Sequence, residues 1–321
     1  MGTTVELFQR SSYAIARGLY DSSMGFLTLA NLDKKIQERE LQTPVRRQTN
    51  KKDAKPAERP KVLERTLQCC LLNGGVFLAS ILVFDYILLP SMKRVLFLLG
   101  TDQYMWSWTK SLLSWTFGAV WVLPIFLLSK MINALWFQDI ADSAYRYSRG
   151  RPVMMASISK TIADFLFSLL VQSLFLLQAM LVSTLPLYPM GEILSMVHMS
   201  LLYSLYAFEY KWFNMGWELH KRLTFIETQW PYFLGFGLPL TIVTSISASY
   251  IINGCLFSIL FPWFIVSANE AQVVSNSCEY PLQLFMPVIA VSNVVFNKTI
   301  GTGVNASAGN LAVPRKQKTQ G

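Results

Sequence analysis

The chain has 321 residues, 52% of them hydrophobic and only 15% charged, against about 25% charged in a soluble domain. This composition excludes an ordinary soluble globular protein and points to a multispanning membrane protein. The net charge of +9 gathers at the ends, with 13 Lys and Arg against 8 Asp and Glu in residues 1–66 and four bases with no acid after Phe296; no nucleic-acid motif accompanies it, so the expected partners are membrane lipids and not nucleic acid.

Residues 5–30 read as an amphipathic helix. Phe8, Ile15 and Leu19 recur near helical spacing and are candidate membrane-interface residues; a helix packed on the membrane domain fits the same pattern. A polar, basic linker follows, ending near Pro60. The first span is expected over Leu71–Leu89, with Pro90 as its stop, and Asn73-Gly74-Gly75 would allow close helix approach. Cys69-Cys70 is either a juxtamembrane palmitoylation site or two small residues at a helix end. The second span is expected over Leu112–Leu135, with Pro124 as a kink. Its single charge, Lys130, is expected to reach the nearby surface. Asp139 and Asp142 then fall on a short amphipathic piece beyond the span.

The third span is expected over Ile162–Leu185 and carries Gln172 and Gln178. These are six residues apart and do not share a face, so interhelical hydrogen bonds are expected of them rather than a polar track. The fourth span, Ile193–Phe208, carries His198, for which hydrogen-bonded helix contact is expected ahead of proton relay. From Tyr232 to Ala268 there are 37 residues without a charge, enough for two helices. Ser245, Ser247, Ser249, Asn253 and Gly254 interrupt this run, and the break is expected near Tyr250–Gly254. Backbone groups at such a break must lie at an interface or be shielded by protein. Pro281–Phe296 is apolar but short for a span.

The fold class is therefore all-α: a polytopic membrane helix bundle of about six hydrophobic spans, some of them partially penetrating hairpins. Residues 1–61 form an amphipathic helix and basic linker, 62–296 the membrane domain and 297–321 a basic tail. Placing both termini in the cytosol leaves 24 of the 28 Lys and Arg on that side, a strong positive-inside bias. No nucleotide loop, metal motif or catalytic triad is present, so no enzyme, catalytic residue, metal or cofactor is expected. The carboxylates Asp85, Asp164, Glu192 and Glu209 fall at span ends, where solvation accounts for them. Lys130, Gln172, Gln178, His198 and Asn253 are the candidate intramembrane polar residues.

Several long strings carry a family resemblance. They are Asn73-Gly-Gly-Val-Phe77, Trp121-VLPIFLLSKMINALWFQDIAD, Ser159-KTIADFLF, His198-MSLLYSLYAFEYKWFNMG, Trp230-PYFLGFGLPL and Ser249-YIINGCLFSILFPWFIVSANEA. The chain resembles the etoposide-induced protein 2.4 family, closely over 65–300 and loosely over 5–40. The resemblance implies an endoplasmic-reticulum membrane protein required for autophagy, acting as nascent autophagic membranes mature toward degradative compartments. Autophagy or apoptosis-regulating proteins are the implied partners, and an adaptor role in apoptosis or growth suppression is an alternative. The membrane region also looks like the bacterial sulfate permease CysZ, whose fold mixes full spans with half-penetrating hairpins. That likeness implies an anion channel or carrier as the other alternative.

Overall fold

The computed structural model describes residues 2–42, 62–150, 152–153, 158–186, 188–275 and 277–295, and among these there are helices and connections but no strand. The helices are α1 (Gly2–Gln42), α2 (Val62–Leu98), α3 (Gln103–Arg149), α4 (Ile158–Ser183), α5 (Met190–Asn214), α6 (Leu219–Thr228), α7 (Trp230–Val243), α8 (Tyr250–Glu270) and α9 (Met286–Val295). Among the described residues four stretches are long and apolar enough to cross a membrane: Val62–Leu98, Gln103–Arg149, Thr161–Ser183 and Tyr250–Glu270. Helices α7 and α9 are apolar but shorter. The architecture is an all-α polytopic bundle.

Helices α2 and α3 run further than their apolar cores suggested. Pro90 does not stop α2, which continues to Leu98, and α3 covers 47 residues, absorbing the piece that holds Asp139 and Asp142. Both prolines follow a wide π-helical stretch: Phe84–Leu88 precedes Pro90, and Gly118–Val122 precedes Pro124. Each proline therefore sits in the first α-helical turn after a change of hydrogen-bond register, where a missing N–H is tolerated. The two helices zip together through Phe84 stacked on Phe117 at 3.9 Å, and Phe77 against Phe126 at 6.2 Å. Trp121 donates its indole N–H to Ser80 Oγ at 3.0 Å along the same seam.

Helices α4 and α5 form a hairpin whose turn includes residues 184–186 and 188–189. Helix α7 returns antiparallel to α5: Ser204 donates to Phe233 O at 2.6 Å, and Ser200 to Thr241 Oγ1 at 3.1 Å. The approach is backbone to backbone, because a Cβ on Gly237 would lie 1.9 Å from Ser200 O. Helix α7 ends at Val243, two residues past the Thr241 that meets Ser200. The break is at 244–249, earlier than the sequence pattern placed it. Asn253, in the first turn of α8, accounts for the shift: its Nδ2 donates to Ser247 O at 2.8 Å and its Oδ1 accepts from Ser247 N at 3.3 Å. Helix α8 descends again beside α5, and Lys211 donates to Ala268 O and Ala271 O at its C-terminus. Glu227 on α6 anchors the approach to α9, accepting from Phe285 N at 3.0 Å; burial raises its carboxyl above the ordinary value.

Helix α1 crosses both arms of this hairpin. Its buried residues are Ala14, Gly18, Asp21, Ser22, Gly25 and Leu29, mostly small and at the spacing of one helix side. A Cβ on Gly18 would meet Tyr232 O at 2.2 Å, one on Gly25 would meet Trp263 O at 2.4 Å, and one on Gly235 would meet Ile15 O at 2.1 Å. Asp21 accepts from the buried Tyr232 hydroxyl at 2.7 Å and pairs with Arg17 at 3.0 Å. Ser267 donates to Ser22 O at 2.8 Å.

A second device ties α4, α5 and α6 together. Arg222 is 1% exposed and pairs with Asp164 at 2.8 Å and Glu209 at 3.2 Å. Its Nε donates to Trp217 O, and Asp164 also accepts from Leu219 N at the start of α6. Asp164 and Glu209 are thus ion-paired partners of one buried guanidinium, not carboxylates left to solvent. The sequence separates them from Arg222 by 58 and 13 residues, so no local spacing links them.

Two outcomes follow from this packing. Gly18→Leu is expected to destabilise the protein by about 1–3 kcal/mol, the usual cost of overpacking, with faster amide exchange in α1; Ala16→Leu on the exposed side of α1 leaves both unchanged. Arg222→Met is expected to cost up to about 3 kcal/mol, since it leaves two part-buried carboxylates without their cation. Thermal unfolding in detergent checks it, and adding Asp164→Asn and Glu209→Gln recovers part of the loss.

Candidate functional site

A half-open space with both polar and apolar lining lies between α2, α3, α4, α5 and α8. It is a cavity of about 640 Å³, and Thr244, Ser245, Tyr250 and Asn253 at the hairpin turn form one end of it. Its apolar wall includes Phe77, Phe126, Phe137, Leu176, Met180, Leu202 and Phe257. Its polar wall includes Asn73, Ser129, Lys130, Asn133, Tyr203, Tyr206 and Ser258. Lys130 is the one charged side chain on this wall among the described residues.

Lys130 is exposed on α3 and contributes to the lining of this cavity. It lies nine residues before Asp139, about 13 Å along the helix, and the exposed apolar residues Met131 and Leu135 come between them. Its Nζ lies 4.9 Å from the centroid of Phe126, one turn toward the N-terminus of α3. A side chain reaching the near polar boundary would point the other way. Helix side chains lean toward the N-terminus, and the contact with Phe126 follows that direction. Its ammonium is held by a cation–π contact, and among the described residues no carboxylate pairs with it.

Beside Lys130 a buried amide cluster fixes the wall. Asn73 and Asn133 exchange side-chain hydrogen bonds at 2.9 and 3.0 Å, and Ser129 donates to Asn73 Oδ1 at 2.6 Å. Asn73 stands in the π-helical stretch Leu71–Leu78, a helix distortion frequent at functional positions. Gly74 beside it lets Ile259 of α8 approach, with 3.3 Å between that side chain and a Cβ placed on the glycine.

The structure separates the five intramembrane candidates. Lys130 and Asn253 share the cavity. Gln178 and His198 do not line it; they bond each other across α4 and α5 at 3.0 Å, and Gln178 also donates to Leu284 O. Gln172 joins Ser168 and Glu209 in the network around Arg222. No polar track connects the three groups through these contacts. Of the candidate interface residues, Phe8 is 74% exposed, whereas Ile15 and Leu19 are half-buried where α1 meets the hairpin. Cys69 is fully buried and Cys70 lies 3.8 Å from Ile259 O, so both pack between helices.

Sequence reading missed Asn73, Ser129, Asn133 and Tyr206 as site residues. Ser129 and Asn133 were legible, since an i, i+4 polar pair flanking a lysine marks one face of an apolar helix. The partnership of Asn133 with Asn73, 60 residues away, was not.

Comparison with known proteins places the chain. A family profile described as sulfate transporter CysZ/etoposide-induced protein 2.4 matches residues 55–252. The Protein EI24 homolog of Arabidopsis thaliana is 30% identical over 242 residues, covering 65% of this chain and 75% of that one. Its namesake in Dictyostelium discoideum is 28% identical, over 72% of this chain and 73% of that one. Ectopic P granules protein 4 of Caenorhabditis elegans is 37% identical over 155 residues, which are 48% of this chain and 49% of the nematode protein. That alignment spans about half the length of each. No solved structure matches the chain. The extent of the profile match, over most of the membrane region just described, shows that the chain belongs to the sulfate transporter CysZ/etoposide-induced protein 2.4 family.

Proposed function

We propose that this protein is a non-enzymatic, multi-pass protein of the endoplasmic-reticulum membrane that acts in autophagy, during maturation of nascent autophagic membranes toward degradative compartments. Both termini face the cytosol in this reading, which the distribution of Lys and Arg supports. The observation that carries it is the hairpin of α7 and α8. Its first arm, α7, packs on α5 through Thr241 and Ser200, and the amphipathic helix α1 lies across both arms. At about 1.5 Å per residue, the 14 residues of α7 reach about 21 Å, less than a ~30 Å hydrocarbon core. Elements that occupy one leaflet and lie along its surface favour curvature. The family resemblance supports the autophagic setting, and autophagy or apoptosis-regulating proteins are the partners this reading carries. Cells lacking the protein are expected to accumulate cargo-positive membranes still joined to the reticulum, seen by electron microscopy, with cargo clearance strongly slowed. Normal clearance overturns the reading.

A second reading, an anion channel or carrier, draws on one observation: a lysine without a carboxylate partner beside a cavity at the level of the bundle core. In proteoliposomes this reading predicts sulfate flux that Lys130→Glu abolishes or turns against anions. Equal flux in the two proteins counts against it.

A further inference from the structure

The cavity itself selects a ligand class. Its mostly apolar lining includes the exposed Lys130, whose ammonium has no carboxylate partner among the described residues; the volume of about 640 Å³ falls in the range of small-molecule sites. Tyr206 adds a phenol on the same wall, and among the described residues its hydroxyl has no hydrogen-bond partner. Two uncommitted donors, one of them charged, ask for an anion with at least two acceptor oxygens. The charge balance narrows the choice. A phosphodiester brings one negative charge against the one positive charge of Lys130. A free sulfate dianion would leave a second charge uncompensated in a low-dielectric space, which is costly. The remaining wall, with Phe126, Leu176, Met180 and Leu202, offers apolar contact and no further cation.

We propose that this cavity binds an anionic glycerophospholipid, with the phosphodiester oxygens taken by Lys130 and Tyr206 and an acyl chain lying along Phe126 and Met180. The site would exist whether or not the protein acts in autophagy. It uses the same lysine as the anion-carrier reading but assigns it to a headgroup tethered to chains.

The test uses the full chain in phosphatidylcholine nanodiscs doped with phosphatidylglycerol, whose headgroup carries a single phosphodiester charge. Native mass spectrometry after release reads how much phosphatidylglycerol stays bound. Wild type is expected to retain one molecule. Lys130→Ala is expected to reduce retention at least about tenfold, the weight of a hydrogen bond to a charged group, and Tyr206→Phe about threefold. Lys130→Arg keeps the charge and retains the lipid. Gly254→Leu, which fills the cavity from α8 without removing a donor, also expels it. Thermal midpoints show that the variants are folded. Wild-type retention by Lys130→Ala, Tyr206→Phe and Gly254→Leu overturns the proposal. Displacement of the bound lipid by free sulfate or inorganic phosphate also overturns it, in favour of a site for a free anion.

Discussion

Close backbone contact at glycine is the constraint on which this bundle depends. In a bilayer the lipid tails are as apolar as leucine, so helices gain little by hiding hydrophobic faces from one another, and packing must come from intimate fit. Gly235 and Gly237 meet that need on opposite sides of α7, one against α1 and the other against α5. Gly18 and Gly25 repeat it on α1. Around these contacts the larger residues fall into place: Phe208 packs edge-on against Phe233 and Phe236, and Trp212 stacks on Trp217. The short helix α7 owes its fixed position to being gripped on two faces.

Buried polar groups do the complementary work, and each set joins elements that are distant in sequence. Arg222 draws α4 and α5 onto α6. The Asn73–Asn133 exchange fastens α2 to α3 below their aromatic seam. Gln178 and His198 stitch α4 to α5. Each pairing supplies partners that hydrocarbon cannot. Lys130 stands apart from this pattern because its charge faces a space instead of a protein acceptor, and that contrast makes the cavity chemically distinctive.

Much of this was legible in the chain. The uncharged runs announced the helices, the hydroxyl-rich interruption announced a hairpin, and the family strings fell on the segments that pack. Helix ends were less legible. Pro90 reads as a stop, yet a preceding π-helical stretch lets the helix pass it. The polar boundary at Asp139 reads as a helix end, yet α3 runs on to Arg149. Partnerships such as Arg222 with Asp164 leave no local mark, since only the folded bundle makes them neighbours.

The turn between α7 and α8 has a double use. Its residues Thr244, Ser245 and Asn253 end the hairpin, and the same residues line the cavity. The depth of the hairpin and the shape of the cavity are therefore one mechanical variable. A hairpin whose arms differ in length, 14 residues in α7 and 21 in α8, is sensitive to hydrocarbon thickness. Thinning or thickening the surrounding bilayer would thus bear on the cavity without any ligand or partner touching it, coupling its contents to the physical state of the membrane.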